Sequence, residues 1–294
     1  MAYLLSNLLQ DTYMGLGQLN VSTATGGSTS TVVDSKQAGL HGDNTWKNGA
    51  AFVVRDAGGA AAAPEGEFGL VTAYTDSSGT FAATFTVAPA TGDTYAFVND
   101  FYPLYTVIEL CNMGLAELGD IALTDTSLTT ATSAREYTLA VAMKRGRPLQ
   151  IALQGQTGDA DDNARQILYD WDVYPAAAGT GATIVFQNEL VSGRTLYVTY
   201  EGIHPKLSAY SSIVSETIHP RLASASCVEM CLRWQNSRLQ GGDDFLLQRW
   251  NDAKMQLEMA KSAHPIWKPR RKPKLMIVGD TNTRLSRYSG DVLP

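Results

Sequence analysis

The sequence predicts an α+β architecture: an antiparallel helix bundle into which two small β modules, sandwich- or barrel-like, are inserted, followed by an extended C-terminal arm. Three observations lead there. Stretches with the 3.6-residue period of a buried helix face stand at three places in the chain. Between them lie two long stretches rich in Gly, Ala, Thr and Ser, whose apolar residues alternate, and the last thirty residues keep neither period. The expected parts are 1–18, 103–120 and 205–264 for the discontinuous bundle, 19–102 and 121–204 for the β modules, and 265–294 for the arm.

Leu4, Leu5, Leu8, Leu9 and Tyr13 form the stripe of a short first helix, which Gly15 and Gly17 stop. In the first β stretch Phe81, Ala83, Phe85 and Val87 alternate with smaller residues. With Ala51–Arg55, Leu70–Tyr74 and Tyr95–Val98 they give about five short strands separated by Gly, Asp and Pro. Leu104, Val107, Ile108, Cys111, Leu115 and Leu118 hold a helical period, with Pro103 at its start and Gly119 at its end.

The second β stretch alternates more clearly, at Tyr137, Leu139, Val141 and Met143, then Leu149, Ile151 and Leu153. Ile184 and Phe186 match Leu196, Val198 and Tyr200 as a hairpin across Ser192–Gly193. A helix over about 220–239 buries Leu222, Val228, Cys231, Leu232 and Leu239, and Gly241–Gly242 break it from the next. That last helix opens on Asp243 and Asp244, where negative charge meets the positive end of the dipole, and carries the seam Leu246, Trp250, Ala253, Leu257 and Ala260.

Charge is unevenly placed. Residues 1–260 carry 15 Lys/Arg against 27 Asp/Glu, whereas 261–294 carry 8 against 2. An acidic body is unsuited to coating DNA, which needs clustered positive charge, while the basic tail suits an acidic partner surface or nucleic acid. Three cysteines make no disulfide framework and have no zinc spacing, so they read as small buried hydrophobes. The apolar Ala2–Leu9 lacks a basic region, the first cation being Lys36, and no apolar run reaches the roughly 18 residues of a membrane span. A soluble protein made in the cytoplasm is expected.

Candidate chemistry is sparse. There is no phosphate-cradling loop and no G-x-S-x-G elbow. Three of the four histidines, His204, His219 and His264, precede prolines and read as punctuation at helix ends, and His41 stands alone in a loop. Asp159, Asp161 and Asn163 resemble the opening of a calcium loop. The required glycine is Ala164 and the closing glutamate is Asp170, so Asp159–Asn163, Asp162 included, reads as a solvated acidic loop. Ile167, Tyr169, Trp171 and Val173 share a strand face and read as β core rather than a sugar-stacking platform. No catalytic, cofactor or metal site is expected.

Pro265, Pro269 and Pro273 interleave with basic residues in the arm. Ile266, Trp267, Lys268, Arg270, Arg271, Lys272, Lys274, Leu275 and Ile277 are its candidate docking residues, because buried aromatic and Arg side chains are what protein interfaces use. A solvated tail and a contact with packaged DNA are the alternatives.

Trp46–Gly49, Pro64–Phe68 (PEGEF), Thr91–Tyr95 (TGDTY), Arg135–Leu139 (REYTL) and Tyr200–Leu207 (YEGIHPKL) resemble stretches of virion structural proteins of tailed phages and prophages. The likeness runs over most of residues 1–207. The helical order is similar to that of head–tail adaptor proteins. The resemblance implies a non-enzymatic homo-oligomeric ring, twelvefold to match the portal, in the neck of the virion and made in the host bacterial cytoplasm. Its partners would be the portal protein, the next neck or tail protein, and packaged DNA passing without sequence-specific binding; no membrane is involved. A stopper, a tail-completion protein or a glycan-binding appendage is the alternative. The two large β insertions depart from the adaptor pattern.

Overall fold

A computed structural model describes residues 2–59, 63–139, 148–155, 165–174, 181–239 and 243–269. The chain divides into two compact units. The first is Met1–Ile121 with Ile203–Trp267, and the second is Ala122–Gly202, joined by Lys268 at the start of the arm.

The first unit contains α1 (Leu5–Gly15), β1 (Asn20–Thr23), β2 (Gly26–Ser28), β3 (Thr31–Val33), β4 (Ala50–Arg55), β5 (Phe68–Leu70), β6 (Ala73–Thr75), β7 (Thr80–Ala82), β8 (Thr94–Val98) and α2 (Leu104–Glu117). Its strands make two antiparallel sheets, in the orders β1-β8-β4-β5 and β2-β3-β7-β6. Ala50, Ala51, Phe52 and Val53 of β4 are all fully buried, so this strand is covered on both faces. Ala51 and Val53 join Trp46, Tyr74, Phe81 and Phe97 in a core shared with the second sheet. On the other face the Phe52 ring meets Tyr13 of α1 at 5.8 Å.

After the second unit the chain forms α3 (Pro220–Arg238) and α4 (Asp244–Ala263). Helix α3 packs against α1, α2 and α4. Two glycines set how closely. A Cβ on Gly15 would lie 2.7 Å from Val228, and one on Gly114 would lie 3.1 Å from the Ser226 carbonyl oxygen. The Ser226 hydroxyl donates to the Gly114 carbonyl at 2.8 Å.

The second unit holds β9 (Ile121–Thr129), β10 (Glu136–Thr138), β11 (Gln150–Gln154), β12 (Arg165–Leu168), β13 (Trp171–Tyr174), β14 (Thr183–Phe186) and β15 (Thr195–Gly202). They make sheets of order β10-β14-β13 and β12-β11-β15-β9. Tyr137, Ile151, Leu153, Ile184, Phe186, Leu196 and Val198 form one core between them.

The expected helix bundle with two small insertions is therefore overturned. Among the described residues the architecture is mostly four open antiparallel sheets of three or four strands, with four helices beside them, and no sheet closes into a barrel. The cause is strand length. Most strands of the first unit have three or four residues, too few to display alternation, so eight strands stand where about five are expected. The expected strand Leu70–Tyr74 is the point at which the chain leaves one sheet at Leu70 and enters the other at Ala73.

The expected 184–200 hairpin is also absent. Strand β14 pairs with β10 and β13, while β15 pairs with β11. The two match in pattern because both feed one core from opposite sheets. Leu239, expected inside, is exposed. Val141, Met143, Gly241, Gly242 and the acidic residues Asp159, Asp161, Asp162 and Asn163 lie outside the described residues.

Candidate interaction surface

Helix α4 begins on Asp243, whose carboxylate accepts from the amides of Phe245 and Leu246 at 3.0 and 3.2 Å. Leu246, Ala253, Leu257 and Ala260 turn inward, and the Trp250 indole donates to the buried Glu229 carboxylate at 2.8 Å. The exposed side is mixed, with three large apolar side chains standing among polar ones such as Gln248 and Asp252. Phe245, Met255 and Met259 are 69%, 60% and 63% exposed, and the four-residue step from Met255 to Met259 is about one helical turn. Beside this face runs a groove of about 440 Å³ over α3, floored by small residues such as Ser224 and Ala225 and bounded by Gly15 and Met259.

The helix ends where the arm begins. His264 is the C-cap of α4, its amide donating to the Ala260 carbonyl at 2.8 Å. Ile266 is half-buried, and Trp267 is 63% exposed. Lys268 reaches Glu201 at 3.6 Å. The other candidate docking residues, Arg270, Arg271, Lys272, Lys274, Leu275 and Ile277, lie outside the described residues.

The prolyl histidines have specific local partners. His204 faces the Pro205 carbonyl through Nδ1 at 2.7 Å and the Ser215 amide through Nε2 at 2.9 Å. A carbonyl only accepts and an amide only donates, so the ring is neutral with its proton on Nδ1, and burial lowers its pKa. His219 is the N-cap of α3 and accepts from the Arg221 amide at 3.2 Å. The remaining one, His41, stands edge-on to Trp46 at 5.1 Å.

No known protein family matches this chain, and no curated protein matches it.

The sequence motifs act as local structural devices. Glu67 of PEGEF accepts from the Thr86 amide at 2.7 Å, and Asp93 of TGDTY from the amides of Ala57 and Ala90. Tyr137 of REYTL donates to the Ala134 carbonyl. The cysteines are free and buried, and burial pushes the thiols of Cys227 and Cys231 well up, which keeps them protonated and unreactive. Among the described residues no three His, Cys, Asp or Glu side chains gather as a metal site, and no helix is long and apolar enough to cross a membrane. Trp171 lies against the second core and gives its indole N–H to the Leu168 carbonyl at 3.0 Å, while Tyr169 and Tyr174 are exposed.

The outward face of α4 is the feature that sequence reasoning missed. Its inward seam was readable because it repeats every three or four residues. Phe245, Met255 and Met259 looked like scattered apolar residues until their exposure was known. The step of four from Met255 to Met259 was the one helical signal among them.

Proposed function

We propose that this chain is a structural protein of a tailed-phage virion, one subunit of a ring that joins the portal of the head to the tail and continues the DNA channel. The observation that carries the reading is the set of exposed apolar side chains on α4, Phe245, Met255 and Met259, on a helix that runs directly into an arm led by Ile266 and the exposed Trp267. Apolar side chains held in water at the end of a well-capped helix are a docking surface rather than a core.

The arm then turns basic, which suits an acidic partner face. An acidic body repels DNA and lets it slide through without sequence-specific binding. In this reading the protein is not an enzyme, binds no cofactor and sits in the virion neck. Its partners are copies of itself, twelve if it matches the portal, together with the portal and the next neck or tail protein.

Removing residues 265–294 tests the reading. The truncated chain is expected to keep its circular dichroism spectrum and lose binding to the portal; portal binding at full strength would sink the proposal. A stopper or tail-completion protein would use the same surface, and the position of the density in a cryo-electron microscopy map of the virion separates the two.

A further inference from the structure

We propose that the stacked imidazoles of His219 and His264 form a pH-sensitive latch, which holds the end of α4, and with it the root of the arm, to the start of α3. The two rings lie 3.7 Å apart, centroid to centroid, and within 3° of parallel. One is the N-cap of α3 and the other the C-cap of α4, so the stack joins two helix ends that are 45 residues apart in sequence. Pro265, Ile266 and Trp267 follow at once.

The stack suits neutral rings. His219 accepts the Arg221 amide through Nδ1 at 3.2 Å, and a protonated ring has no lone pair left for that bond. Across the stack, the pKa of His264 is lowered by burial first, then by His219 and by Arg221. Two imidazolium rings face to face at this separation repel, so the second proton is taken up by opening the stack.

The charged surroundings are mixed. Glu216 and Tyr3 line the pocket of about 400 Å³ beside the rings, and Asp11 and Arg221 line the groove that also reaches His264. Asp11 accepts from Tyr3, and Lys261 in the last turn of α4 pairs with Glu258. Among the described residues neither Asp11 nor Glu216 forms an ion pair with either ring.

The sign follows from linkage. A histidine with a depressed folded pKa leaves its contact intact above the ordinary imidazole value of about 6.5 and weakens it as pH falls below. His204, also depressed, adds a background that does not depend on position 264.

Hydrogen exchange of the 259–269 segment in the full-length chain, corrected for the intrinsic rate, is the test. Protection in the wild type is expected to fall roughly tenfold per pH unit below about 6.5. His264→Phe keeps a stacked ring that cannot take the second proton and is expected to lose much less protection than the wild type between pH 7 and pH 5. His219→Asn keeps an N-cap acceptor without a ring and is expected to exchange fast at both pH 7 and pH 5. Wild-type protection independent of pH, or an equal loss in His264→Phe, would overturn the latch. So would an NMR titration of the wild type in which both rings protonate independently at the ordinary value, a result that needs no variant.

Discussion

The two units bury their strands in different ways, and the difference shows in their sequences. In the first unit β4 is a middle strand, with Ala51 and Val53 facing one core and Phe52 facing α1, so Ala50–Val53 is an unbroken buried run. In the second unit β14 and β15 are covered on one side, although β11 buries Ile151, Ala152 and Leu153 in succession. Strand β14 alternates half-buried Thr183 and Val185 with buried Ile184 and Phe186, and β15 does the same with Leu196 and Val198. A continuous apolar run of four therefore marks a layer between two others, whereas alternation marks the wall of a single core.

The comparison breaks most visibly at the middle layer. Phe52→Ala removes a fully buried ring between Tyr13 and Phe68 and is expected to cost about 4 kcal/mol, because a lost ring leaves a larger cavity than a lost aliphatic side chain. Urea unfolding followed by segment-resolved hydrogen exchange should show the loss first in peptides of the first unit. Ile184→Ala, one wall of a single core, is expected to cost about 3 kcal/mol and to appear first in peptides of the second. If the Ile184 variant lost more than the Phe52 variant, the size of the cavity would not be what ranks them.

Much of the helical part was legible in advance. The seam Leu246, Ala253, Leu257 and Ala260 turns inward, and Asp243 caps α4, because helix periods and capping chemistry are local properties of a chain. The sheets were not readable in the same way. Gly26–Ser28 pairs with Thr31–Val33, which pairs in turn with Thr80–Ala82 some fifty residues away, and three residues carry too little pattern to announce such a partner. The candidate site divides along the same line. The candidate docking residues Ile266, Trp267 and Lys268 stood out by composition, but the exposed apolar side chains of α4 needed exposure to be seen, and the His219–His264 stack needed two helix ends to meet.

Glycine sets a third contrast, between the close helix contacts and the more open α4. Gly114→Val places a branched side chain where even a Cβ comes within 3.1 Å of the Ser226 backbone oxygen. Backbone cannot swing aside as a side chain can, so the expected loss is about 2 kcal/mol in a urea titration. Gly114→Ala should cost less. Equal losses from the two would mean that α2 and α3 separate at the first added atom.

The smallest expected effect sharpens the same contrast at α4 itself. The buried residues of that helix are two leucines and two alanines, a thin seam, so its start depends more on the cap than the starts of its neighbours do. Asp243 accepts from both Phe245 and Leu246, and Asp244 adds charge in the first turn. Asp243→Ala leaves those amides without their acceptor and is expected to cost about 1 kcal/mol, read as faster amide exchange in the first turn of α4. Asp243→Asn keeps an acceptor and gives up only the charge at the dipole, so a loss of a few tenths of a kcal/mol is expected. Should the alanine variant exchange like the wild type, the seam and the Trp250–Glu229 hydrogen bond alone hold the helix in place, and the apolar side chains it presents do not depend on its cap.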